Sequence, residues 1–195
     1  MRKSSISRKT RETDISLELI LDGTGVTQLD TGIGFFDHML DALARFGFLN
    51  LNVSCKGDLK VDGHHTVEDV GICLGQAIRE ALDKKQGIRR VGHALFPMDE
   101  SLAQVAIDIC GRSHLTFEAD FKVSKCGDYD TQLTLEFFRA VAQHAGMTLH
   151  MSILHGQNAH HMTEALYKAF GKALDEAVSI DPRIQGVQST KGALA

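Results

Sequence analysis

His64-His65-Thr66-Val67-Glu68 and His160-His161-Met162-Thr163-Glu164 are two copies of one pattern, His-His-x-x-Glu, set 96 residues apart. The chain holds only ten histidines, and each copy opens an apolar-periodic segment that reads as a helix. Imidazole and carboxylate groups at helical spacing are ligands for first-row metals. Adjacent side chains on a helix point roughly 100° apart, so His64 and His65 diverge, as do His160 and His161. Each helix therefore offers ligands to two different ions.

What surrounds the tetrads repeats as well. Gly71-Ile72-Cys73-Leu74-Gly75-Gln76-Ala77-Ile78 lies against Tyr167-Lys168-Ala169-Phe170-Gly171-Lys172-Ala173-Leu174, with Gly75 on Gly171 and Ala77 on Ala173. Upstream, Phe35-Phe36-Asp37-His38-Met39-Leu40 matches Leu133-Thr134-Leu135-Glu136-Phe137-Phe138, and His38 falls on Glu136. Each of these helices runs through a glycine, Gly47 or Gly146, into a short strand. Two unrelated amphipathic helices would not repeat ligands, glycines and element order together, so the chain is an internal duplication.

The alternation of Ile15 to Leu21 predicts a strand, turned by Asp22-Gly23-Thr24-Gly25 into a second near Val26 to Leu29. A helix over about 33–46, a strand near 49–55 and a helix over about 65–84 follow. The second half predicts strands at 101–109 and 114–119, a helix at 131–145, a strand at 147–154 and a helix at 160–178 stopped by Asp181-Pro182. The expected fold is α+β, two tandem β-β-α-β-α halves (about 1–92 and 93–195) in a single catalytic domain, with helices on one face of each sheet. Ligands at helix N-terminal ends put the metals at the rim, where a site can be shared between subunits.

Bulk properties narrow the class. At 195 residues the chain can bury roughly 70% of its unfolded surface. A net charge of −4 without a basic block argues against a nucleic-acid partner. Cys55, Cys73, Cys110 and Cys126 lack C-x-x-C spacing and read as thiols in a reducing compartment. The start Met1-Arg2-Lys3-Ser4-Ser5 is not that of a signal peptide, and no apolar run is long enough for a membrane span. A cytoplasmic enzyme is expected. Gly32-x-Gly34 is too short for a dinucleotide fingerprint, and no organic cofactor is implied. His93, His114, His144, His150 and His155 have no repeat counterpart with ligand chemistry and read as ordinary polar residues.

The runs Phe36-Asp37-His38-Met39-Leu40, Asp62-Gly63-His64-His65-Thr66-Val67-Glu68-Asp69-Val70-Gly71, Pro97-Met98-Asp99-Glu100, Gly111-Arg112, Asn158-Ala159-His160-His161 and Ser189-Thr190-Lys191-Gly192 resemble the imidazoleglycerol-phosphate dehydratase family, from about Arg8 to Leu194. The resemblance implies a monofunctional lyase of histidine biosynthesis that converts imidazole glycerol phosphate to imidazole acetol phosphate. It implies two manganese ions per active site and a 24-subunit homo-oligomer built from trimers, with active sites shared between subunits. It also implies that Glu12 lies over the substrate as a proton-transfer group. Arg90, Arg112 and Lys191 would clamp the phosphate, with Ser189 and Thr190 as donors. Lys168, one turn after Glu164, either faces the substrate or forms an i,i+4 ion pair. Glu136 stands where the family often has His, and oxygen is a competent ligand for manganese. Phe46 and Ser113-His114 also differ from the commonest versions.

The chemistry of this dehydration explains the residue types. No carbonyl flanks the carbon that loses its proton, so the imidazole ring is the only electron sink. Two metals, one on each ring nitrogen, would favour the imidazolate and expel the hydroxyl next to the ring, giving a diazafulvene-like intermediate and then an enol. The expected metal ligands are His38, His64, His65, Glu68, Glu136, His160, His161 and Glu164. Glu12, Glu68 and Glu164 are the carboxylates expected to act in catalysis. A metal-dependent hydrolase would use the same ligands to activate water, and a non-catalytic metal-binding shell would need the ligands without the phosphate set.

Overall fold

Thr13, Ile15, Leu17 and Leu19 are buried and alternate with exposed Asp14, Ser16 and Glu18, the two-residue period of a strand with one wet face. In the computed structural model, which describes residues 1–194, this strand is β2 (Thr13–Ile20), preceded by β1 (Lys3–Lys9) and followed by β3 (Thr27–Asp30), α1 (Gly34–Phe46), β4 (Asn50–Gly57) and α2 (His64–Leu82). The second half repeats the order with β5 (Val91–Met98), β6 (Ser101–Asp108), β7 (His114–Glu118), α3 (Leu133–Ala145), β10 (Thr148–His155) and α4 (Ala159–Val178). A small extra hairpin, β8 (Lys125–Cys126) and β9 (Tyr129–Asp130), is inserted before α3.

The two sheets have one topology. The first is ordered β1-β2-β4-β3 and the second β5-β6-β10-β7. In each, the first three strands pair antiparallel and the last pairs parallel to its neighbour. The duplicated α+β architecture is as the sequence predicts, with one correction: each half has an additional first strand, so the order is β-β-β-α-β-α. β1 carries a single apolar residue, Ile6. In β5, Gly92 is small because α4 crosses directly beneath it: a Cβ there would meet the Ala173 carbonyl and the Ala177 amide nitrogen. Neither strand shows the apolar alternation that identifies β2 and β6.

Helices α2 and α4 cover the β1/β2 and β5/β6 faces, while α2 also packs on α3 and α1 on α4. The four helices thus lie between the two sheets. The glycines that mark the repeat sit at these crossings. A Cβ at Gly75 would lie 2.7 Å from the Val141 carbonyl oxygen, and one at Gly171 would lie closer still to that of Leu43. Leu43 and Val141 are themselves repeat counterparts. Phe36, Phe137, Phe138, Tyr129, Tyr167 and Phe170 fill the space between the helices.

After α1 and α3 the chain turns into the next strand through equivalent left-handed positions, Phe48 (φ 51°) and Gly146 (φ 65°). The same hydrogen bond follows each, Leu49 N–H to Ala44 O and Met147 N–H to Ala142 O. The true counterpart of Gly146 is therefore Phe48, not Gly47. Among the described residues, no helix is long and apolar enough to cross a membrane.

Candidate metal centre and phosphate pocket

Both tetrads stand at helix N-termini where the repeat-equivalent side chains of Asp62 and Asn158 accept from a first-turn amide. The Asp62 carboxylate accepts from His64 N–H at 2.8 Å, and the Asn158 side-chain oxygen accepts from His160 N–H at 2.9 Å. These bonds satisfy orphan amides and aim the paired histidines off the end of each helix.

The packing of α1 on α4 brings His38 of the first half to the tetrad of the second. His38 Nε2 is 3.4 Å and His160 Nε2 3.2 Å from Glu164 Oε2, and one ligand atom from each of the three residues lies within 4.8 Å of the others. Two imidazoles and a carboxylate suit a first-row divalent ion. Glu164 is buried; burial raises its pKa, but the Lys168 ammonium hydrogen-bonded to it outweighs this and the net shift is downward. That ion pair, at 2.7 Å, is the i,i+4 alternative for Lys168. The ammonium also faces the rings of Phe46 and Phe96, 5.1 and 5.8 Å from their centroids, which gives Phe46 a role: it walls in the cation that holds Glu164.

The second histidine of each tetrad lies between two carboxylates. His65 Nδ1 is 3.0 Å from Asp58 and its Nε2 3.8 Å from Glu12. His161 Nδ1 is 2.8 Å from Glu100 and its Nε2 3.7 Å from Asp99. A carboxylate on Nδ1 fixes the ring and leaves the Nε2 lone pair outward, the usual support for a ligand histidine. Hydrogen bonding to Asp58 and Glu100 raises the pKa of His65 and His161. Asp58 and Glu100 were not among the predicted site residues. Glu100 sits in a quoted motif, whereas Asp58 carries no local signal.

The repeat counterparts of the His38 cluster are arranged differently. His64 Nε2 is 3.8 Å from Glu68, which is half exposed, and Ile72 stands where the other half has Lys168. Glu136 places both carboxylate oxygens on Arg139, at 2.7 and 2.5 Å, rather than on His64. The position matching Arg139 is Asp41, which pairs with Arg45. His38 thus has an acid three residues on, and its counterpart Glu136 has a base. Among the described residues, His38, His160 and Glu164 are the one group of three that converges within a chain; His64, His65, Glu68, Glu136 and His161 are not drawn into it.

The predicted phosphate residues converge elsewhere. Arg90, Arg112, Ser189, Thr190 and Lys191 line one open cavity of about 710 Å³. Arg90 is largely committed: Asp108 takes two of its donors at 2.6 and 2.8 Å, and the Gln188 carbonyl accepts a third at 2.8 Å. Its guanidinium ties the 188–191 segment to β6. Among the described residues, the Arg112 and Lys191 side chains have no ion-pair partner and line the same cavity.

A sequence model of imidazoleglycerol-phosphate dehydratase matches residues 31–174. The chain belongs to this family. Similar proteins include the imidazoleglycerol-phosphate dehydratases of Lachnoclostridium phytofermentans, 59% identical over 98% of this chain and 97% of the relative, and of Acetivibrio thermocellus, 56% identical over 99% of each. Among solved structures, the Staphylococcus aureus enzyme is 37% identical with a TM-score of 0.84, covering 92% of this chain and 99% of that one. The Pyrococcus furiosus enzyme, solved in complex with (S)-C348, is 35% identical at the same TM-score over 97% and 100%. The protein is accordingly a lyase of histidine biosynthesis, and the hydrolase and storage-shell alternatives give way.

Proposed function

We propose that the protein, a cytoplasmic enzyme, removes water from D-erythro-imidazole glycerol phosphate to give imidazole acetol phosphate. It does so in one catalytic domain of two repeated halves, about residues 1–92 and 93–195. The observation that carries this reading is the convergence of His38, His160 and Glu164 across the two halves. Two Mn²⁺ ions per active site would be held by His38, His160 and Glu164, by their counterparts Glu136, His64 and Glu68, and by His65 and His161 through Nε2. When bound, the metals act as Lewis acids that polarise the substrate's imidazole ring and hold it in place.

The side chains do the rest. Asp58 and Glu100 orient His65 and His161, and Lys168 fixes Glu164. Arg112 and Lys191, with Ser189 and Thr190, bind the phosphate, while Arg90 shapes their loop. The ring gives up its N–H proton and the hydroxyl on the carbon next to it leaves with a proton as water as electrons flow from the ring, giving a diazafulvene-like species. Glu12 then takes the proton from the neighbouring carbon, and the resulting enol becomes the ketone. His65 and His161 face hairpin-turn carboxylates rather than the His38 cluster, which supports completion of each site by a neighbouring subunit. We infer the trimer-built 24-subunit shell from this sharing and from the family resemblance. Incubating the Mn²⁺-loaded protein with imidazole glycerol phosphate should yield the ketone; ester or amide hydrolysis with no ketone would reject the assignment.

A further inference from the structure

We infer that Asp69 is a positioning residue that sets Glu12 against the ligand-bearing face of α2; the inference rests on Glu12 as the proton-transfer group proposed above. Asp69 lies one turn after His65 on α2 and is buried, its side chain 8% exposed. An ionised carboxylate at such a site needs a cation and hydrogen bonds. Both come from the strands flanking the Glu12 turn. Arg8 of β1 donates to Asp69 Oδ1 through Nε at 3.0 Å, with Nη2 at 2.9 Å, and the Thr13 hydroxyl of β2 donates to Oδ2 at 2.5 Å.

From Thr13 the connection runs on to Glu12 itself. The Thr10 and Thr13 hydroxyls are 3.2 Å apart, and the Thr10 hydroxyl oxygen accepts from the backbone N–H of Glu12 and of Thr13 at 3.0 Å each. Thr10 N–H closes the turn on the Thr13 carbonyl at 2.8 Å. Among the described residues, the exposed Glu12 side chain has no partner beyond its approach to His65 at 3.8 Å. One helix therefore presents His65 and Glu68 outward and, through Asp69, grips both strands of the turn that carries Glu12. The spacing of Glu12 and His65 is thus fixed through α2, Asp69 and the two strands it holds.

The second half solves the same problem without a counterpart. Ala165 stands at the position of Asp69. There Glu100 ties the β5–β6 turn to the start of α4 by accepting from the Gln157 and Asn158 amides at 3.2 and 2.8 Å. Among the described residues, the buried tether thus occurs only in the half whose hairpin carries Glu12.

The test is a double-mutant cycle on the metal-loaded, assembled enzyme, with kcat, KM and metal content read for Asp69→Asn, Glu12→Gln and the pair. Asp69→Asn is expected to lower kcat about 10- to 100-fold, the scale of a sub-ångström to 1 Å misplacement, with KM and metal content near wild type. In the Glu12→Gln background the same change should cost less than about 2-fold. Thr13→Val keeps the Arg8–Asp69 pair, so it should fold even where Asp69→Asn does not, and should give a smaller loss with the same dependence on Glu12. Equal losses with and without Glu12 would make Asp69 a scaffold residue and overturn the inference while leaving Glu12 in place. A Glu12→Gln enzyme with wild-type kcat would instead overturn the role of Glu12, and the inference with it.

Discussion

His38 on α1 and Glu164 on α4 belong to different copies of the repeat, yet His38 Nε2 lies 3.4 Å from Glu164 Oε2. The contact exists because Gly171 lets α4 approach α1 at Leu43. It joins the packing of the two halves directly to the chemistry at the rim.

Removing the imidazole should therefore strip one ligand without touching the core, since His38 is exposed. His38→Ala is expected to lower metal affinity by more than the roughly 10- to 100-fold that loss of an outer-shell partner costs, and activity with it, at unchanged thermal stability of the chelated protein. Metal titration followed by elemental analysis, beside a melting curve, checks both parts.

The cations of the 188–191 pocket make a separate prediction. Arg112→Ala and Lys191→Ala should each raise KM roughly 10- to 150-fold, because a charge-assisted contact to phosphate is worth about 1.5–3 kcal/mol. Arg90→Ala should raise KM by a different route, by releasing the segment held through the Gln188 carbonyl. Steady-state kinetics at sub-saturating substrate separates these effects.

The tetrads, the duplication and the four helices were legible because ligand chemistry and the 3.6-residue period are local signals. β1 and β5 were not: Ser4, Ile6 and Arg8 show no apolar alternation, and Gly92 and Ala94 are small because α4 lies against them. Glu136 was placed by repeat arithmetic. Its bond to Arg139 lay within reach of the i,i+3 rule, but the choice between ligand and ion pair depends on what faces the helix. Asp58 serves the site only through elements distant in sequence and nothing around it announces it, whereas Asp69 lies inside the run 62–71 and its part shows only once Arg8 and Thr13 reach it. Phe46 gains meaning only once β5 brings Phe96 edge-to-face against it beside Lys168.

Gly75→Ala and Gly171→Ala should each destabilise the protein by about 1–3 kcal/mol, the usual cost of overpacking, seen as a Tm drop of roughly 2–10 °C. Both added methyls would press on a backbone carbonyl, which cannot swing away as a side chain would. Gly34→Ala, also helical and with open space around its Cβ position, is the control.

The Glu100–His161 pair gives a pH dependence. The hydrogen bond raises the His161 pKa, and that bond with the Asn158 amide holds Glu100 well below the usual carboxylate range. A histidine raised on folding stabilises fully below its unfolded value of about 6.5 and loses this as pH rises through its folded value. A depressed Glu stabilises above its unfolded value, near 4.3, and loses this as pH falls. The pair contributes most between these limits, so the chelated protein should melt higher near pH 5.5 than at pH 8. Glu100→Gln should shrink the difference, measured by Tm against pH.

The most direct measurement is turnover of imidazole glycerol phosphate in chelator-stripped protein, with bound metal counted as Mn²⁺ is added back. The account predicts no ketone from the stripped protein and recovery that rises in step with manganese to two ions per site. Full turnover in a sample shown to be free of metal would contradict it.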